Sequence, residues 1–407
     1  MSVGAEFREI SHCGGQIIFR VTTSEGRRAY QITMQGSRPV PMALYSIYAL
    51  PQGIPVADLN TGGIGSPWPP PPVPGCIPVF IASDSEGKFG FQCPRCQQYW
   101  RARGGANVCP YCGVRCDRYQ FLSNAQRIYV QNYCEKLKQG LNSEEDGDHA
   151  IDMDAVADAA GQDIEKPPFY YAEQSQQKQF NCSACGEFND VLGRFVYCTV
   201  CGTRNDLSEL ENNIIPAIRA DLNGGGVPSN SLKDIGSAFD TFVGQYTGQL
   251  IKNRPMRSTR RERIRKMRFH DLAATRKELI GGFDIDICEG LTPEDIATAT
   301  RMFQRRHVYE HHGGEVDEKY LRDSGDTSVR LKQTIRETLG SVHEFANLVL
   351  RLGRNLHHGF HDIYEPIKRP IERHEDEKKR LASFEQSAKE RGNISRVHTA
   401  KRGLRGQ

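Results

Sequence analysis

Eight of the thirteen cysteines fall into four Cys-x-x-Cys pairs, and the spacing of those pairs repeats. Cys93 and Cys96 are followed by Cys109 and Cys112, and Cys182 and Cys185 are followed by Cys198 and Cys201 at the same interval. An offset of 89 residues carries the first set onto the second, and also carries Phe91 onto Phe180 and Gly113 onto Gly202. Two close thiolate pairs, each at the tip of a tight turn, can surround one tetrahedral Zn²⁺. Disulfides or redox dithiols would also use Cys-x-x-Cys, but neither calls for the same interval twice. Two zinc-ribbon modules are therefore expected. Four thiolates fill the tetrahedron and leave no open position for a reactive water, so both ions read as structural.

At 407 residues the chain is too long for one ordinary core and should divide into about two to four folding units. Hydrophobic residues make up 38%, and the mean hydropathy of -0.57 describes a polar surface. Residues 1–15 lack a basic start followed by an apolar run, so no secretory signal is expected. The apolar stretch at 42–50 is too short to span a bilayer and is interrupted by Ser46. Paired thiols without a leader fit a reducing, cytoplasmic setting. Of the other cysteines, Cys13, Cys76, Cys116, Cys134 and Cys288, only Cys116 lies where it could replace a neighbouring ligand.

Charge is segregated. Residues 144–165 carry acidic groups and no lysine or arginine, among them Glu144, Asp163 and Glu165. Residues 252–268 are dominated by cations, with Arg260, Arg261, Arg263, Arg265 and Lys266 at their centre. Such a block attracts polyanions, RNA among them, or forms a solvated helix face. Exposed Tyr99, Trp100, Arg101 and Arg103 beside the first ribbon could bind single-stranded nucleic acid or a protein.

The expected architecture is multidomain: a β-rich N-terminal region with two zinc ribbons, then an all-α bundle. Residues 1–92 alternate as strands, with a turn at Ser24-Glu25-Gly26 and a Pro/Gly-rich passage at 51–78 that includes Trp68. Residues 93–138 hold the first ribbon and a following helix. The acidic run 139–168 reads as a flexible linker. The second ribbon occupies 169–222, with a hairpin at 189–197 around Gly193, and 223–230 form another linker. Over 231–366 the period becomes helical. One helix starts at a Ser231/Asp234 capping box, and a second runs from Ser258 through the basic block to Ile280. A third starts at Thr292-Pro293, and a long stripe runs from Thr327 to Leu356. A charged tail, 367–407, should lie outside the core.

The third helix places Arg306 on the same face as Ile296, Ala299 and Phe303, whereas Arg305 falls on the polar side. A buried-face arginine needs an anion. His311 lies five residues on, about 140° round the helix, so the two converge only if the helix ends between them or a second copy contributes. The run Arg306-His307-Val308-Tyr309-Glu310-His311, followed by Gly313-Gly314-Glu315-Val316-Asp317, resembles the active-site segment of HEPN domains, small helical bundles found in RNA-cutting toxins and defence proteins. The resemblance covers about 231–366.

It implies a HEPN-like bundle acting as a metal-independent endoribonuclease in a homodimer, with Arg306, His307 and His311 as the catalytic set. His311 would take the proton of a ribose 2′-hydroxyl and Arg306 would hold the phosphorane oxygens. His307 would orient the phosphate, and the second subunit's histidine would protonate the leaving 5′-oxygen. Products would carry 2′,3′-cyclic phosphate. An antitoxin or regulatory protein is a further implied partner. A competing cluster stands at Arg354-Asn355 with His357, His358 and His361. Arg306 equally suits a structural role, as a cation for Glu310 or Asp317. The chain would then be a non-catalytic zinc-ribbon adaptor that binds nucleic acid or protein and dimerises through its helices.

Overall fold

The computed structural model describes residues 8–35, 43–59, 69–142, 145–161, 167–171 and 176–390. Met42, Trp68, Glu144, Asp163, Glu165, the start of the chain and the tail beyond Glu390 lie outside the described residues. Two compact units are formed, one by 1–202 together with 367–407, the other by 203–366. Among the described residues no helix is long and apolar enough to cross a membrane.

The first unit begins with β1 (Gln16–Ser24) and β2 (Arg27–Gln35), joined at Glu25-Gly26, both at positive φ. Next come β3 (Leu44–Ala49), β4 (Pro55–Asp58) and β5 (Ile77–Ala82), which form a sheet of order β4-β3-β5. β6 (Phe89–Gln92) and β7 (Tyr99–Ala102) flank the first cysteine pair, and α1 (Asn124–Leu141) follows. Ser123 and Gln126 cap α1 reciprocally, and Tyr129, Val130, Tyr133, Cys134 and Leu137 form its buried face.

The acidic run does not remain a linker. Residues 147–152 become β8 (Gly147–Asp152), which completes a sheet of order β2-β1-β8, and α2 (Met153–Gly161) follows with Met153, Val156, Ala157 and Ala160 buried. The carboxylates are used. Asp148 bonds Arg20 at 2.6 Å, Asp146 accepts from Thr23, and Asp154 accepts the amides of Cys13 and Gly14. Net charge hid an apolar period of a few residues.

β9 (Gln177–Asn181) and β10 (Phe188–Leu192) belong to the second ribbon. The two ribbons are not separate modules, because their strands form one sheet of order β6-β7-β10-β9. Gly193 makes its turn at positive φ, but the expected return strand to Tyr197 is replaced by irregular backbone. Tyr99, Trp100 and Arg101 are buried, not exposed. Arg101 bonds Asp84 at 2.7 Å and Glu86 at 2.9 Å, and Arg103 stacks on Phe188.

The second unit starts with α3 (Asp206–Glu209), a π-helical turn (Leu210–Ile214) and α4 (Ile215–Asn223). Residues 203–222 thus belong with the helices, not with the second ribbon. α5 (Pro228–Asn253) begins earlier than expected. Pro228 occupies its first position, and Ser231 is buried inside the helix instead of capping it. The basic block breaks into α6 (Ser258–Arg265) and α7 (Leu272–Phe283), which is capped by Asp271. α8 (Pro293–His312) carries the expected Thr292/Asp295 capping box and ends at Gly313 in the left-handed region. After α9 (Glu318–Ser324), the chain turns at Leu331-Lys332, with Lys332 at positive φ, and continues without helix through 333–337. α10 (Leu339–Ile363) therefore starts only at its Thr338 cap, and Leu331 and Leu339 are exposed. α11 (Lys368–Glu390) returns to the first unit, against expectation for a free tail: Ile371 packs on the second cysteine cluster, and Arg373 bonds Glu187 at 3.1 Å.

Candidate metal centres and candidate active site

Each Cys-x-x-Cys sits in a tight turn whose following residue adopts positive φ: Gln97, Gly113, Gly186 and Gly202. In every case the amide of that residue donates to the carbonyl of the first cysteine, at 2.8–3.0 Å. The amides of Arg95 and Cys96 also approach the Cys93 sulfur at 3.4 Å, where they favour a thiolate.

The sulfurs of Cys93, Cys96, Cys109 and Cys112 form one group, and those of Cys182, Cys185, Cys198 and Cys201 form the other, each within 4.8 Å. Cys93–Cys112 and Cys96–Cys109 lie at 3.6 Å, Cys182–Cys201 at 3.7 Å and Cys185–Cys198 at 3.6 Å. A tetrahedron with 2.3 Å zinc–sulfur bonds has edges of about 3.8 Å, so both groups fit a metal of that size. Cys116 stands outside them.

The two centres are related by a local two-fold. β7 and β10 pair with Arg101 opposite Asp190 and Ala102 opposite Asn189, and Arg101 and Asp190 are equivalent under the 89-residue offset. Val108 N donates to Thr199 O at 2.9 Å, and its counterpart Tyr197 N donates to Pro110 O at 2.9 Å. A Cβ at Gly113 would lie 3.0 Å from the Tyr197 ring and one at Gly202 3.4 Å from Val108, so the glycines make room for the opposite ribbon.

In the helical unit α8 continues unbroken past Arg306, which separates the predicted trio. Arg306 is buried and turns towards α5, where Gly236 makes room: a Cβ there would lie 2.2 Å from the arginine's Cδ. Its guanidinium approaches Asp240 at 3.5 Å, Glu310 at 3.1 Å and the Ser237 hydroxyl at 3.3 Å. Arg306 Nε and Asp240 Oδ1 are buried with no hydrogen-bond partner among the described residues. His307 and His311 lie one turn apart with ring centroids 4.5 Å apart and planes inclined at 57°, and His312 reaches Asp317 at 3.6 Å. Burial holds the His307 pKa below the usual imidazole range, and His311, Lys319, His270 and His312 add to the depression.

Asp240 and His270 were missed from sequence. His270 Nδ1 lies 2.8 Å from Asp240 Oδ2, the oxygen that also faces Arg306. His270 ends the basic block after Arg268-Phe269, and its only signal was that adjacency. Within the block, Arg260 and Arg263 both bond Glu278, at 3.1 and 2.7 Å, Lys266 pairs with Glu262, Arg261 is half-buried, and Arg265 is exposed.

The Gly-Gly continuation has a structural role. Gly313 caps α8, Gly314 has positive φ and a Cβ there would lie 3.0 Å from the Tyr309 ring, Val316 is buried, and Asp317 caps α9. Arg305, expected on a solvated face, is instead enclosed. It bonds Asp326 at 2.7 Å, Glu337 at 3.1 Å and the Tyr320 hydroxyl at 3.1 Å. Helical period alone could not show that 326–337 folds back over that face.

The competing cluster is spent on packing. Arg354 bonds Glu211 at 2.6 Å, and Asn355 donates to the carbonyls of Ile287 and Glu289. His361 Nε2 accepts from the Arg204 amide while its Nδ1 faces Tyr364 O. His357 bonds the Tyr246 hydroxyl at 2.7 Å, and burial, with His361 and His358, pushes its pKa down to about 3.

Comparison of the chain with family models, with curated proteins and with solved structures returns no match.

Proposed function

We propose that the chain is an endoribonuclease whose two four-cysteine centres hold structural zinc and whose helical unit cleaves RNA without metal. One observation carries the reading: the His307–His311 ring pair and buried Arg306 share α8, and Arg306 and His270, just past the basic block, both face Asp240. Two neighbouring imidazoles, a guanidinium and a nearby cation-rich segment suit transesterification at a ribose phosphate. His311 accepts the 2′-hydroxyl proton, O2′ attacks phosphorus, and Arg306 exchanges its Glu310 contact for a phosphoryl oxygen. Exposed Arg265 and its neighbours hold the flanking backbone. The resemblance to HEPN domains supports pairing of two chains through 231–366. Purified protein incubated with mixed RNA in EDTA, with its metal content verified, should release 2′,3′-cyclic phosphate ends. His311→Ala should abolish this, and an inactive wild type refutes the reading.

The adaptor reading also has an observation in its favour. Arg306 already faces two carboxylates, Asp240 and Glu310, as a purely structural cation would. RNA binding without cleavage would establish it.

A further inference from the structure

The helical unit holds one more imidazole with the geometry of a proton-transfer group. A carboxylate only accepts hydrogen bonds, so the 2.8 Å contact between His270 Nδ1 and Asp240 Oδ2 places a proton on Nδ1. Nε2 is then the nitrogen that exchanges protons with solvent or substrate, and the ring's orientation is fixed by the carboxylate. The same Asp240 oxygen faces the Arg306 guanidinium at 3.5 Å, which joins His270 to the arginine through one atom. His270 stands near enough to His307 to contribute to the depression of its pKa. Asp240 Oδ1 and Arg306 Nε are both buried without partners, and the Arg306 residue is 8% exposed. Buried, unpaired polar atoms on both members of this link mark a place where a water would satisfy both and a phosphoryl oxygen would accept from Arg306 Nε. Nothing in the amino-acid periodicity of 231–366 brings α5, the α6–α7 connection and α8 to this point; the fold does.

We infer that His270, oriented by Asp240, is the general acid of the ribonuclease reaction, so that one chain carries both proton-transfer groups. This rests on the proposed ribonuclease reading. In the step, the 2′-hydroxyl proton passes to His311, the O2′–P bond forms, and the P–O5′ bond breaks. The departing O5′ takes a proton from the His270 imidazolium at Nε2. The products are a 2′,3′-cyclic phosphate and a 5′-hydroxyl. His311 leaves the step protonated and His270 neutral, and exchange with water restores both. A histidine from a second subunit is then not needed for leaving-group protonation, whatever the assembly state.

A leaving group that needs no proton separates this role from any other. Activity is measured on RNA and on a ribonucleoside 3′-(4-nitrophenyl phosphate), whose phenolate departs unassisted. His270→Ala should lose about 100-fold or more on RNA, the size of a general-acid contribution, and less than about 5-fold on the nitrophenyl ester. His311→Ala should lose heavily on both. His270→Gln, whose amide can still donate to Asp240, keeps the local contact and should repeat the His270→Ala pattern. Asp240→Asn should show the same split with a smaller loss. Equal losses on both substrates, or full activity of His270→Gln on RNA, overturn the assignment and leave the ribonuclease reading standing. Wild-type protein inactive on both substrates refutes the ribonuclease reading itself, and the assignment falls with it.

Discussion

Arg305→Ala should be among the more damaging single changes in the helical unit. The Arg305 side chain is 13% exposed and faces Asp326 and Glu337, whose side chains are 2% and 0% exposed. Removing the guanidinium leaves two buried carboxylates without their cation, a class of change that costs about 3–5 kcal/mol. Asp326 keeps bonds from the Ser328 and Tyr320 hydroxyls, which argues for the lower end, about 3 kcal/mol. For a unit of this size that corresponds to roughly 6–12 °C in melting temperature. Arg305→Lys should fall between, because an ammonium cannot fork to both carboxylates.

The assay is urea denaturation followed by far-ultraviolet circular dichroism. Tryptophan fluorescence would be blind to the event, since Trp68 and Trp100 both belong to the other unit. A pH series adds a sign check. Burial pushes the Asp326 pKa up, but bonds from Ser328, Tyr320 and Arg305 outweigh it and hold the group well below the usual carboxylate range. The folded protein therefore binds fewer protons than the unfolded chain near pH 4. This contribution is complete above the unfolded carboxylate value of about 4 and fades as pH falls towards the folded one. The gap between wild type and Arg305→Ala should narrow along that descent. A loss below about 1 kcal/mol at pH 7 would refute the argument and return Arg305 to the solvated face that helical periodicity assigns it.

Two further outcomes follow from the same structure. Because the two cysteine centres share one sheet, Cys109→Ser should lower bound zinc, read by elemental analysis, to well below one ion per chain, where independent modules would keep one; wild type should hold two, and fewer than one refutes the zinc proposal. His357 is kept neutral by burial with its pKa at about 3, whereas the unfolded chain takes a proton near 6.5. Its contribution is thus present above about pH 6.5 and lost as pH falls, by about 2 kcal/mol between pH 7 and 5; a His357→Leu variant measured by chemical denaturation should lose that part of the slope.

Spacing made the two four-cysteine clusters legible, because such a cluster is written in local turns. Helix starts marked by side-chain caps, such as Thr292 with Asp295, were equally readable. What stayed hidden depends on non-local folding. The acidic run became β8 and α2 because β1 offered an unpaired edge and Arg20 a partner for Asp148. Ile335 is buried although no helix contains it, because the segment 333–335, following a turn at Lys332, pairs with 314–316 around Val316 and Tyr320. The candidate active site was half legible: Arg306, His307 and His311 came from one helix, while Asp240 and His270 come from two other segments.

The two-fold within the ribbon sheet explains why an internal repeat need not be a symmetric one. At its axis Arg101 faces Asp190 across β7 and β10, and the 89-residue offset maps each onto the other. Any residue at this position meets its own counterpart, so identical charged residues would be set against each other in a buried site. Like charges directly opposite on paired strands repel, and burial removes the water that would screen them. Here the two copies carry opposite charges, 3.7 Å apart, with Asp84 and Lys88 completing the set at 2.7 Å from Arg101 and Asp190 respectively. Swapping the pair, Arg101→Asp with Asp190→Arg, strands Asp84 beside a new carboxylate and Lys88 beside a new guanidinium. The divergence of this one position is thus locked to Asp84 and Lys88 in the turn between β5 and β6, and the repeat folds as a single sheet because its copies are no longer equal.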